Sequence, residues 1–159
     1  MTAIHRITSA PDFARLHDIF SVYEADLPPE LRHGEVPSAS ELARKFSPPS
    51  AAFLATADRM VVGCVGVSRR DAETAVIRHL FVKPEARGYG AARALVEAAI
   101  AFARESKYER IVLDTHKGKL EAAYRLYESL GFVEAEPHTP VTYECPTFME
   151  LWLTTARSG

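Results

Sequence analysis

A chain of 159 residues, 47% hydrophobic and 25% charged, has enough apolar material for one core. Its composition excludes a disordered, collagen-like or disulfide-stapled protein. A formal charge of -2 lacks the basic excess of a general nucleic-acid binder, although 19 Lys and Arg residues leave room for a local anion site.

Cys64 and Cys145 stand apart without CxxC spacing, which implies a reducing compartment and no structural zinc. The opening Met1-Thr2-Ala3-Ile4-His5-Arg6 lacks the apolar core of a signal peptide, and no stretch approaches the ~18 uncharged apolar residues of a membrane span. The expectation is a cytoplasmic protein with no membrane and no nucleic-acid partner.

In chain order, residues 4–8 alternate as a short strand, and 11–27 predict a helix. Ser9 caps that helix, Phe13, Leu16, Ile19, Phe20 and Tyr23 share one stripe, and Pro28-Pro29 stops it. A short helix is predicted over 38–46, bracketed by Pro37 and Pro48-Pro49. Residues 52–57 and 60–68 read as a strand pair turning near Asp58-Arg59, with Cys64 as a small core side chain. The apolar, partly β-branched run 75–82 leads through 83–90 into a helix over 91–104. Its buried stripe is Ala92, Leu95, Val96, Ala99, Phe102 and Ala103, with Arg93 and Glu97 one turn apart on the wet side. Residues 110–114 form the next strand, so 75–114 is a strand–helix–strand unit with parallel strands. A helix at 119–130 ends at Gly131, where a left-handed residue is wanted. Strands at 132–134 and 148–153 flank a polar, Pro-rich segment at 135–146. No repeat or linker interrupts the chain, which reads as a single domain over 1–159.

The segment Arg87-Gly88-Tyr89-Gly90-Ala91-Ala92 lies between strand and helix. Two glycines permit positive φ there, and a helix start offers unpaired N–H groups, so the place suits a phosphate. A plain strand-to-helix turn would read the same way. A dinucleotide fingerprint fails because Arg93 stands where its third glycine belongs, and Walker A fails because no Gly-Lys-Ser/Thr follows.

Leu80-Phe81-Val82-Lys83-Pro84-Glu85-Ala86-Arg87-Gly88-Tyr89-Gly90-Ala91-Ala92 resembles motif A of the GNAT acetyltransferases. That motif is a strand followed by Arg/Gln-x-x-Gly-x-Gly/Ala at a helix start, met here by Arg87, Gly90 and Ala92. The likeness continues through Leu113-Asp114-Thr115, and Ala123-Tyr124-Arg125-Leu126-Tyr127-Glu128-Ser129-Leu130-Gly131-Phe132 looks like motif B. It covers about residues 50–134, more weakly Phe148-Met149-Glu150-Leu151.

The resemblance implies an α/β (α+β) fold: a mixed, mainly antiparallel sheet with a splayed central parallel pair and helices on both faces. It implies acetyl-CoA as acetyl donor and direct transfer to a primary amine in a ternary complex. Leu80, Phe81 and Val82 would supply the strand beside the pantetheine arm, bonded through the backbone of Leu80 and Val82. Arg87 opens the loop whose amides, from Gly88, Tyr89, Gly90, Ala91 and Ala92, would hold the pyrophosphate. The Val82 amide would serve the oxyanion, and Tyr127 would act as general acid, with Tyr124 as substitute. Tyr127 also lies on the apolar stripe Leu120, Ala123, Tyr127, Leu130, so a core tyrosine is the plainer alternative.

Two departures stand out. Many relatives carry a glutamate where this chain has Val76, and an asparagine where it has Leu120. The remaining candidate bases are Glu73, His79, Asp114 and His116, none of them singled out by spacing. No His-x-x-x-His or His-Glu-x-x-His pair suggests a metal, and no G-x-S-x-G elbow suggests a serine nucleophile. A non-catalytic CoA-binding module, transfer of a longer acyl group and assembly as a homodimer stay open. The acceptor pocket is expected from 27–49 and 135–146, which the motifs do not reach.

Overall fold

The computed structural model describes residues 2–32, 34–141 and 146–153; Cys145 lies outside them. In chain order they form β1 (Thr2–Arg6), α1 (Ala10–Asp26), α2 (Ala39–Lys45), β2 (Ala51–Ala57), β3 (Met60–Arg69) and β4 (Thr74–Val82). There follow α3 (Ala91–Glu105), β5 (Arg110–Thr115), α4 (Glu121–Ser129), β6 (Val133–Glu134) and β7 (Thr147–Trp152). The strands make one seven-stranded sheet in the order β1-β2-β3-β4-β5-β7-β6. β4 and β5 run parallel, joined by α3, and the other neighbours are antiparallel.

Local chemistry sets the element ends. The Ser9 hydroxyl accepts from the Asp12 amide and starts α1, with Pro11 in the first turn. Ser38 and Glu41 form a reciprocal capping box on α2. Asp58 and Arg59, both at positive φ (51° and 66°), make the tight turn from β2 to β3.

Two cores sandwich the sheet. On one face α3 and α4 cover Ala75, Ile77, Val82, Ile111, Leu113 and Met149. On the other, Leu16, Phe20, Leu42 and Phe46 of the α1–α2 side pack over Leu54, Cys64 and Phe81. Each fully buried Leu or Phe contributes roughly 1.5–3 kcal/mol against exposure. Cys64 is wholly buried, and burial pushes its thiol well above the usual range.

The decisive irregularity is in β4. Cys64 pairs with Phe81 and Gly66 with Arg78, so two steps on β3 match three on β4. The extra residue makes a bulge where His79 adopts φ 59°. The Cys64 thiol donates to the His79 carbonyl across it, at 3.4 Å. Pairing of β4 with β5 covers Thr74–Arg110, Ala75–Ile111 and Val76–Val112; beyond it the strands part and leave a gap in the sheet.

Some details differ from the sequence reading. The buried stripe of α3 begins at Ala91, while Ala92 is half-buried and looks into the gap. Of the α4 stripe only Tyr127 is fully buried, because α4 lies along the rim of a cleft. The strand expected at 132–134 starts at Val133, since Phe132 turns into the core and packs on Tyr127 with ring centres 5.6 Å apart.

Candidate active site

A cleft of about 750 Å³ opens where β4 and β5 separate. Its floor is β4, from Ile77 to Val82; its walls are the end of α1, the start of α3, Asp114 and Thr115 of β5, and α4. Leu80, Phe81, Val82, Arg87, Gly88, Gly90, Ala91 and Ala92 all line it. Tyr89 does not: its side chain is 79% exposed and only its backbone belongs to the loop.

Gly90 is the N-cap of α3 at φ 85°, and Gly88 has φ 90°. A Cβ at either would meet no protein atom within 4 Å, so the backbone conformation, with open space beside it, accounts for glycine here. Gly90 has no side chain to cap the helix, so the first-turn amides of α3 receive no N-cap hydrogen bond. With the positive end of the helix dipole behind them, they could receive an anion at one end of the cleft.

The middle of the cleft is strand edge. Lys83 donates its amide to the Val62 carbonyl at 2.8 Å. In an antiparallel ladder the neighbouring residue points the other way, so Val82 turns its N–H and C=O toward the gap. The Nε of Arg87 meets that carbonyl at 2.8 Å, and its Nη2 lies 2.7 Å from the Asp26 carboxylate. Arg87 thus ties the loop to β4 and to the end of α1.

Tyr127 projects from α4 into the cleft and is 5% exposed. Burial, and secondarily the charge of Asp114, hold its phenol well above the usual range, so it keeps its proton at neutral pH. From the opposite face, Tyr23 of α1 also lines the cleft; its phenol is raised by burial first and by Tyr127 next. Tyr124 points elsewhere: its hydroxyl donates to Glu134 at 2.8 Å, which pushes its pKa up to about 12.

The four candidate bases separate. His79 and Asp114 line the cleft, with the His79 ring tilted against Phe20 at 4.6 Å between ring centres. Glu73 stands at the far end of β4, where its carbonyl accepts from Glu109 and Arg110. His116 borders a separate concavity, its Nδ1 accepting from the Lys119 amide. Val76 is buried. Leu120 lines the cleft and is the N-cap of α4, a place where an asparagine side chain could cap and leucine cannot.

Tyr23, Arg78 and Lys119 also line the cleft, outside any motif. Tyr23 looked like one more member of an apolar stripe. Arg78 interrupts the apolar run of β4, and that interruption was the available signal. Lys119 pairs with Glu30, in the short 3₁₀ turn after α1, across the cleft mouth, a contact no spacing foretells. Among the described residues no group of three or more His, Cys, Asp or Glu could hold a metal, and no helix is long and apolar enough to cross a membrane.

Residues 16–132 match the model of the acetyltransferase (GNAT) family, a span holding the bulged strand, the glycine loop and α4. The chain belongs to the GNAT family. Human N-acetyltransferase 8B is 41% identical over 85 residues, which are 50% of this chain and 37% of that protein. The chain therefore spans well under half the length of that relative. Among solved structures, a Streptococcus agalactiae 2603 acetyltransferase is 25% identical with a TM-score of 0.75, over 96% of this chain and 98% of that one. A GNAT-superfamily phosphinothricin acetyltransferase from Sinorhizobium meliloti, in complex with acetyl-CoA, shares the fold at 18% identity and TM-score 0.78, over 98% and 91% of the two chains. The splayed parallel pair thus sits within a GNAT fold over nearly the whole chain.

Proposed function

We propose that the protein transfers the acetyl group of acetyl-CoA directly to a primary amine, with donor and acceptor bound together. The observation that carries this reading is the continuity of one cleft, from the amide cradle at the start of α3, along the free edge of β4, to the Tyr127 hydroxyl. Membership of the GNAT family and the acetyl-CoA held by the Sinorhizobium meliloti neighbour agree with it.

The residues present fit the donor. Two glycines at positive φ leave open space beside the α3 amides, which suits a pyrophosphate. The apolar edge of Leu80 and Val82 suits an extended arm added beside a strand. When bound, acetyl-CoA supplies a thioester, and the amine forms a C–N bond to its carbonyl carbon as the C–S bond breaks.

Each protein group then has one task. The Val82 amide, turned into the gap, donates to the carbonyl oxygen as negative charge develops there. Tyr127, neutral because it is buried, gives its proton to the departing sulfur. His79 and Asp114, on the acceptor side, share with water the removal of the amine proton.

Incubation with acetyl-CoA and a mixed amine library, read by mass spectrometry, tests the reading. Acetylated product together with free CoA is expected. Tight CoA binding with no product from any amine would overturn it in favour of a non-catalytic CoA-binding module.

A further inference from the structure

On the sheet face toward α1 and α2, the last paired residues of the parallel strands are Val76 and Val112. Two residues further along, on that same face, stand Arg78 on β4 and Asp114 on β5, one on each side of the gap. The alternation holds because the bulge comes only after Arg78, whose partner is Gly66. On β5, Ile111 and Leu113 fill the opposite core, which leaves Asp114 facing α1. Both charged residues line the cleft.

Arg78 is exposed, and among the described residues its side chain makes no hydrogen bond or ion pair. The cations around it are engaged or weakened. Arg110 is bound to Glu150 at 2.9 Å. Lys45, at the end of α2, is held below its usual range by burial and by the charge of Arg78. His138 is lowered by burial, with Arg70, Arg78 and Arg110 acting in the same direction against Asp114. A planar guanidinium on the wall of a cleft, short of an anion and surrounded by positive field, matches one carboxylate through two parallel hydrogen bonds. Across the gap, Asp114 supplies the opposite charge an ammonium seeks.

We propose that the acceptor is a small amine that carries a carboxylate, an amino acid or a close analogue, with Arg78 holding the carboxylate and Asp114 receiving the amine end. This deepens the acetyl-transfer reading and rests on it. Arg78 is a specificity-determining residue, and without its charge the site keeps an amine pocket but loses the means to choose amino acids.

The test uses amine pairs that differ by the carboxylate alone: L-phenylalanine with phenethylamine, and L-leucine with isopentylamine. Wild type should favour the carboxylate member by about ten- to a hundredfold in kcat/KM, the range of one charge-assisted bidentate contact. Arg78→Gln should bring that ratio close to one, chiefly through KM for the amino acid, and Arg78→Lys should restore part of it. CoA affinity, measured in parallel, reports that each variant is folded. Saturation-transfer NMR of the same probes on the CoA-loaded protein gives a readout independent of turnover. Equal use of both members of each pair, or a preference that survives Arg78→Gln, overturns the inference while leaving acetyl transfer standing. Amino-acid binding that depends on Arg78, without product from any amine, upholds the carboxylate site and removes the acetyl-transfer reading instead. No detectable binding or turnover of either amino acid by the folded protein overturns the inference.

Discussion

The carboxylate of Asp26 lies 2.7 Å from Nη2 of Arg87, joining the last residue of α1 to the first residue of the glycine loop. The same guanidinium donates through Nε to Val82, so one side chain holds loop, strand and helix together. The family pattern places an Arg or Gln here, and in this chain its polar atoms are turned to the protein. With the two side chains 51% and 37% exposed, the ion pair itself is worth at most about 1 kcal/mol. Asp26→Asn should therefore weaken CoA binding less than about fivefold. Arg87→Gln should cost more, through Val82, and the double variant should match Arg87→Gln alone. Titration of CoA against the four proteins gives the cycle; additive losses would show that Arg87 acts on the ligand separately from Asp26.

Gly90→Val should abolish CoA binding. A β-branched residue at φ 85° costs upwards of about 1–2 kcal/mol, so Tm should fall as well. The new side chain would enter the space beside the α3 amides, which no protein atom fills. A folded variant that binds CoA as tightly as wild type would mean that the cradle lies elsewhere.

Tyr127→Phe keeps the ring against Phe132 and removes the hydroxyl alone. The expected result is a fall in kcat of about 10²-fold with CoA affinity little changed. Because the folded phenol is raised above its unfolded value near 10, its contribution to stability is full below about pH 10 and is lost as pH climbs toward the folded value. Tyr127→Phe should therefore lessen the alkaline loss of Tm. It should leave any inflection between about pH 7 and 9 in place, because Tyr127 does not titrate there. An unchanged kcat with chemistry rate-limiting would return Tyr127 to a packing role.

No single base is expected to be indispensable. Glu73→Gln and His116→Ala, both outside the cleft, should change kcat/KM least. His79→Gln and Asp114→Asn should each cost less than about 10²-fold, under about 3 kcal/mol, because water can carry the proton past either. One variant losing far more, with its rate recovering at alkaline pH, would identify a dedicated base.

What the sequence made legible followed from local rules. The apolar run of β4, the glycines of the loop and the stripe of α3 each carry their own period or turn chemistry, so the parallel pair and the glycine turn into α3 could be read directly. The bulge could not, because His79 at positive φ leaves no mark beyond a histidine in a strand. Nor could the contacts of Tyr124 and Tyr127 be told apart, since both stand on α4 three residues apart. Only the fold shows that one meets Glu134 and the other the cleft. Arg78 showed only as a break in the apolar run, because its place opposite Asp114, 36 positions along the chain, depends on the gap between the strands.

The extra residue at His79 also works as a parity switch. Up to Arg78 the odd positions of β4, Ala75 and Ile77, face α3; after it the even ones, Leu80 and Val82, do, and Phe81 packs beneath α1. Deleting one residue there would exchange Phe81 and Val82 between the two cores and turn the free amide edge back toward β3. The side chains on the α1 side of β4, Arg78 and His79, can then vary without moving Leu80 or Val82. Such a strand lets one face change while the edge beside the gap stays as it is.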